Sequence, residues 1–337
     1  MDYQLLWFVI LGVLLTGYAI LDGFDLGVGI IHLTARNDHE RRLVMNSIGP
    51  IWDGNAVWLV TFGGALFAAF PAVYGTAFSA FYLPFMALLG ALIFRAVSLE
   101  FRSKREEKWW RQTWDFLFFA SSFTATFLFG MAVGNAMQGI KIKDGVYQGD
   151  LSDLIGIFPI LVGFLAVSLF ALHGSLYLYL KTEGEFHYYV RRWVWTSYVA
   201  FCVLYATVTA FSYQLVPTAT ERFTSSWVGW VIAGLNFFAV INISRALYQR
   251  RSLYAFISSC CSIIAFNVLF AYSLFPNLLI SSYGDEHTLT VHNSSSTEKT
   301  LHLMAWFAAI GIPFVLAYTF TTHWVFRGKV KITKQSY

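Results

Sequence analysis

Nine runs of apolar residues, each long enough to cross a membrane, decide the class of fold before any single residue is weighed. They lie at roughly 3–31, 48–71, 76–102, 114–138, 156–180, 190–214, 226–247, 253–276 and 301–326. A hydrocarbon core about 30 Å thick takes about 20 helical residues. No water reaches backbone N–H and C=O groups there, so spans of this length satisfy them only as helices. Composition agrees. Of 337 residues, 57% are hydrophobic and 12% charged, against about 25% charged in soluble domains. The chain therefore reads as all-α, one polytopic membrane unit over residues 1–337, with no soluble domain, repeat or low-complexity tract. Its first run is too long for a cleaved signal peptide and lacks a basic leader, so it reads as a retained helix. The Pro71 to Gly75 region is expected to form a tight hairpin between the second and third spans. The polar stretch 277–300 is expected to be a long loop.

Lys and Arg set the orientation. With the N-terminus outside, the inner connections hold 18 of 23 cations, from Arg36, Arg41 and Arg42 through Arg102–Arg111 to Arg327–Lys334. The outer connections hold Lys141, Lys143, Arg222 and Lys299, and Arg95 lies within a span. This asymmetry fits the positive-inside rule and places the C-terminus inside. The net charge of +4 arises from those loops and does not point to nucleic acid.

Against this background a few acids stand out. The first span ends in Gly17–Gly29, GYAILDGFDLGVG, with Asp22 and Asp25 at i, i+3 on one helical face, about 4.5 Å apart along the axis. Glycines 23, 27 and 29 allow a neighbouring helix to come close. The stretch Gly49–Leu59, GPIWDGNAVWL, adds Asp53. Counting about 1.5 Å per residue from the outer ends places Asp22, Asp25 and Asp53 near the inner edge of the hydrocarbon. Arg95 and Glu100, late in the third span, fall in the same layer. Charges at such depth are costly and are usually paired or functional. One reading is an ion-pair cluster in which Arg95 and Glu100 balance charge. The other is proton uptake, because the acids outnumber the nearby arginine. The two are compatible.

Other chemistry is sparse. Cys202, Cys260 and Cys261 sit in apolar runs without metal-ligand spacing and read as small hydrophobes. No histidine pair has metal-site spacing, and no metal site is expected. His173 alone lies well inside a span. A haem axial ligand is chemically open to it, though a hydrogen-bonded membrane histidine is the simpler reading. Trp52 and Trp58 suit either stacking on a quinone ring or anchoring helices at the interface. No Ser-His-Asp or Cys-His catalytic arrangement is present.

The blocks GYAILDGFDLGVG, RNDHERRLVMNSIGPIWDGNAVWL and FRAVSLEFRSK together resemble subunit II of the bacterial cytochrome bd-type quinol oxidases. The ending, LTVHNSSSTEKTLHLMAWFAAIGIPFVLAYT with VFRGKV, is also similar to that family. Between roughly 140 and 250 the likeness rests on hydrophobicity and on HGSLYL and KTEGE. This resemblance implies nine transmembrane helices, mostly two four-helix bundles plus one peripheral helix. It implies a haem-bearing partner, subunit I, holding two b-type haems and one d-type, with none ligated by this chain. The complex would oxidise quinol on the outer side and reduce O₂ to water. It would draw protons from the cytoplasm and generate a membrane potential without pumping. The resemblance also implies a bacterial cytoplasmic membrane location, and it allows for a small single-helix accessory subunit. It places the acids of a proton route at Asp25 and Asp53, then Asp22. Some members hold a quinone in this subunit, for which Trp52 and Trp58 are the candidate neighbours. Two other classes compete. An independent ion or solute transporter would use the acidic layer as its binding site, and would be expected to show broken helices, midplane charges and an inverted repeat. A purely structural membrane subunit would take no part in proton movement.

Overall fold

A computed structural model describes residues 2–217, 220–221 and 226–332. Arg222 and Lys334, counted above among the loop charges, lie outside the described residues. Eleven α-helices occur among them: α1 (Tyr3–Ile31), α2 (Asp38–Ile48), α3 (Trp52–Ala69), α4 (Pro71–Ala80), α5 (Tyr82–Phe101) and α6 (Lys108–Gln138) come first. They are followed by α7 (Ile157–Lys181), α8 (Gly184–Leu215), α9 (Trp227–Tyr248), α10 (Ser252–Leu274) and α11 (Glu298–Val325). Eight of the described helices are long and apolar enough to cross a membrane. The expected segment 48–71 becomes α3, only 18 residues long, which opens with Trp52, Asp53, Gly54 and Asn55 and is less apolar for it.

Two connections differ from expectation. The Pro71 to Gly75 hairpin is itself the start of a ten-residue helix, α4. Phe70 leaves the helical region (φ −135°, ψ 66°) and Pro71 occupies the first helical position. Proline cannot continue α3 but is pre-set to begin a new helix. The chain bends again at Phe81, so the third expected span starts at Tyr82. The first basic loop also contains α2, capped by Asn37, whose side chain accepts from the Glu40 N–H at 2.9 Å. At the opposite end of the bundle the two long loops carry small antiparallel ladders, β1 (Ile142–Lys143) with β2 (Val146–Tyr147), and β3 (Asn277–Leu279) with β4 (Leu289–Thr290).

Helix α1 is the axis of the packing. Two of its expected glycine approaches are made on α7. A methyl group on Gly27 would strike the Phe170 carbonyl and the Gly174 backbone, and one on Gly23 would meet the Phe170 ring. The third glycine, Gly29, is covered by Ser122 of α6. Next to this crossing, Phe24 stacks on Tyr177 with ring centres 4.1 Å apart. Such close contact yields dispersion and backbone proximity that larger residues would forbid.

Helix α11 is different. Only Leu301 along its length is buried within the chain. It is tied mainly at its ends. Trp7 Nε1 donates to the Leu301 carbonyl at 3.0 Å. At the other end Lys181 donates to the Phe326 and Gly328 carbonyls, and Lys329 donates to Leu180 (2.8 Å) and Thr182 (3.0 Å). Lys181, the last residue of α7, thus meets the C-cap carbonyl of α11. Lys329, beyond the end of α11, caps the C-terminal carbonyls of α7, where positive charge is favoured.

Candidate functional site: a buried acidic cluster on the first helix

Asp22 and Asp25 are fully buried, and Arg95 is 3% exposed. Three helices build their surroundings. On α1 the i, i+3 spacing sets both acids on one face. From α5, Arg95 Nη2 comes to 2.8 Å from Asp22 Oδ1. From α3, Asn55 Nδ2 donates to Asp25 Oδ2 at 2.8 Å and to the Leu21 carbonyl at 3.3 Å. One turn earlier on α1, the Tyr18 hydroxyl faces Asp22. The arrangement is short of partners. Asp25 Oδ1 and Arg95 Nε and Nη1 are buried without a hydrogen-bond partner in the chain. Buried polar atoms in proteins are normally satisfied, and internal water is the usual means.

Charge decides what the cluster can do. Two carboxylates face one guanidinium, so the fully ionised set carries a net negative charge inside the protein. An unbalanced buried charge costs several kcal/mol, about 3–5 where a buried pair has lost a member. A proton held on the pair removes that imbalance at least cost. The cluster is therefore a place where a proton can be bound and released.

The other expected site residues lie elsewhere. Asp53 is exposed on α3, two positions from Asn55 and so on the far side of that helix. Glu100 is half-buried, more than a turn beyond Arg95. Trp52 is half-buried, while Trp58 is buried with its ring over Gly17 of α1. The structure thus gathers Asp22, Asp25 and Arg95 and leaves Asp53 and Glu100 outside the cluster. Asn55 was missed as a partner. It stands two residues after Asp53 in WDGN, and only the packing of α3 on α1 shows which of the two side chains turns inward.

A second buried ionic cluster was also missed. Asp115, 1% exposed on α6, accepts from His32 Nε2 at 2.6 Å and from Arg102 Nε at 2.6 Å. Arg41 Nη1 donates to its other oxygen at 2.8 Å. Arg102 also reaches Asp38 at 2.8 Å, and Arg111 meets the second Asp38 oxygen at 3.1 Å. The available signal was an acid, Asp115, two residues into a predicted span. The arginines read as loop charges and concealed it. Nearby, Arg36 pairs with Glu40 and lies 3.3 Å above the Tyr189 ring. Burial works against the ionised Glu40 carboxyl. The hydrogen bonds from the Arg36 side chain and backbone outweigh it and hold that group below the usual carboxylate range.

His173 is fully buried between α1 and α10. Its Nδ1 meets Ser259 Oγ at 2.7 Å and its Nε2 meets the Ile20 carbonyl at 3.0 Å. Both ring nitrogens are engaged within the chain, so as placed it does not fit a haem ligand. Among the described residues no group of three or more His, Cys, Asp or Glu is arranged to hold a metal ion.

Comparison with known proteins follows the same line. Residues 3–326 match the sequence model of the family described as cytochrome bd terminal oxidase subunit II. The chain is 34% identical to the cytochrome bd-I ubiquinol oxidase subunit 2 of Escherichia coli K12, over 98% of this chain and 96% of that one. It is 33% identical to the cytochrome bd ubiquinol oxidase subunit 2 of Bacillus subtilis, over 96% of each. A chain in the structure of the bd oxidase from Geobacillus thermodenitrificans has the same fold. The TM-score is 0.78 at 16% identity, covering 97% of this chain and 99% of that one.

Proposed function

The chain belongs to the cytochrome bd terminal oxidase subunit II family, and from that premise we propose that it carries protons from the cytoplasm toward a reaction centre in a partner subunit. The observation that bears most weight is the buried pair of carboxylates sharing a single arginine. The surplus carboxylate, Asp25, is the proton carrier. Asp22 with Arg95 sets the local charge. Asp53, exposed on α3, is the acid open to a partner, and Glu100, half-buried beyond Arg95, stands outside the cluster.

The relatives' names and the family resemblance support a wider proposal for the complex. Subunit I binds the b- and d-type haems, and no step here runs through a haem held by this chain. The complex oxidises quinol, reduces O₂ to water and builds a membrane potential without pumping. The subunit works as one nine-span unit in the bacterial cytoplasmic membrane, N-terminus out and C-terminus in. α3 is its ninth span, and the helices form two four-helix bundles and one peripheral helix. Its broad exposed apolar surface, including most of α11, is covered by subunit I and lipid, and the complex has room for a single-helix accessory subunit. A bound quinone would neighbour Trp52 rather than Trp58, whose ring is closed against Gly17.

The test is Asp25→Asn and Asp53→Asn in the complex with its haem-bearing partner. The proton reading expects full assembly and haem content with slowed oxygen consumption. A fully assembled Asp25→Asn complex that consumes oxygen at the parental rate overturns it.

A further inference from the structure

Tyr18, Asp22, Asp25 and Gly29 on α1, with His32 at its C-terminal cap, stand at alternating steps of four and three residues and so form one stripe along one face. Tyr18, Gly29 and His32 of that stripe meet α6. Tyr18 packs edge-on against Phe129, Ser122 covers Gly29, and Asp115 binds His32. At Gly29 the helix has no side chain, and the Ser122 hydroxyl occupies the gap. Beyond Tyr18 Oη and the Asp22 oxygens, three buried polar atoms along this seam have no hydrogen-bond partner among the described residues: Asp25 Oδ1, Ser122 Oγ and His32 Nδ1. Counted along the α1 axis, positions 25, 29 and 32 rise by steps of about 6 and 4.5 Å, a spacing that bridging water can span.

We propose that this α1–α6 seam is the cytoplasmic intake leading to Asp25, with His32 and Ser122 as its relay. The assignment rests on the reading of Asp25 as a proton carrier. At its mouth, Asp38 lines an open groove of about 600 Å³ together with His39, Glu183 and Glu185. Arg102 joins Asp38 to Asp115, and Asp115 orients His32. Because Asp115 also accepts from Arg102 and Arg41, it receives a hydrogen bond from His32 Nε2–H and leaves the Nδ1 lone pair facing inward. The groups facing the ring are thus Asp115 from α6, Arg102 from the end of α5, Arg41 from α2 and the edge-on Phe118 ring. Nδ1 takes up a proton from water in the seam, giving an imidazolium that Asp115 balances, and its release from Nδ1 toward Ser122 restores the neutral ring in its starting tautomer. Ser122 passes on one hydroxyl proton as it accepts another, and Asp25 Oδ1 receives it.

His32→Gln keeps an N–H for Asp115 and removes the nitrogen that accepts and gives up a proton. Ser122→Ala removes one oxygen from the seam. Both are made in the complex with the haem-bearing partner, beside Asp25→Asn, and scored for haem content, oxygen consumption across pH and the solvent deuterium effect. The expected result is unchanged assembly and haem, a rate lowered about tenfold or more, and a larger deuterium effect. A merely structural role would leave the deuterium effect unmoved. If Asp25→Asn is slow while an assembled His32→Gln matches the parent in rate and deuterium effect, the seam is wrong and the reading of Asp25 stands. Should His32→Gln fail to assemble, Ser122→Ala decides on the same criteria. If Asp25→Asn itself runs at the parental rate, the function proposed above falls and the seam with it.

Discussion

Replacing Arg95 should cost this protein more than replacing the acid it touches. At 2.8 Å from Asp22, the guanidinium has a gross attraction of about 6 kcal/mol at an effective dielectric of about 20. Desolvation cancels much of that, and loss of one member of a buried pair typically costs about 3–5 kcal/mol. Arg95→Met leaves two buried carboxylates without a cation and should sit in that range. Asp22→Asn leaves Arg95 still beside the charge of Asp25, and should lose about 1.5–3 kcal/mol, the worth of a charge-assisted hydrogen bond. The double variant leaves only Asp25, held by Asn55, and should recover more than about 1 kcal/mol relative to Arg95→Met. Equilibrium unfolding of the purified complex in mixed detergent micelles gives all three values. Equal costs for the two single variants, or a double variant worse than Arg95→Met, would refute the claim that one arginine serves both acids.

Two further expectations concern packing and pH. Gly27→Val places a side chain against the Phe170 carbonyl and Gly174. It should lower the melting temperature of the complex through overpacking of about 1–3 kcal/mol, whereas Gly12→Ala, with nothing within 4 Å, should leave it nearly unchanged. Glu40 contributes stability that is fully present above the ordinary carboxylate range of about 4.3 and is lost as pH falls through its lower folded value. The stability advantage of the parent over Glu40→Gln should therefore shrink between about pH 5 and pH 3, measured by unfolding at a series of pH values. An advantage that grows toward acid would contradict the Arg36–Glu40 pairing.

Helices and the presence of buried acids were readable in the chain because both are local consequences. A long apolar run has one way to satisfy its backbone in lipid, and i, i+3 spacing puts Asp22 and Asp25 on one face whatever surrounds them. The close approach at Gly23 and Gly27 was equally legible, since missing side chains permit contact wherever a partner arrives. Interruptions were less so. Pro71 could open a helix as well as close a hairpin, and the choice depended on α4 finding a place to pack. Partnership lay beyond the sequence altogether. Whether Asp53 or Asn55 turns toward Asp25 is fixed by how α3 rolls on α1. That Asp115 draws Arg41, Arg102 and His32 around itself depends on residues 32–41 packing against residues 102–115, two regions far apart in the chain. Depth along a helix follows from counting residues. Direction around it is set by contacts with helices distant in sequence, and so it was decided only when the tertiary structure formed.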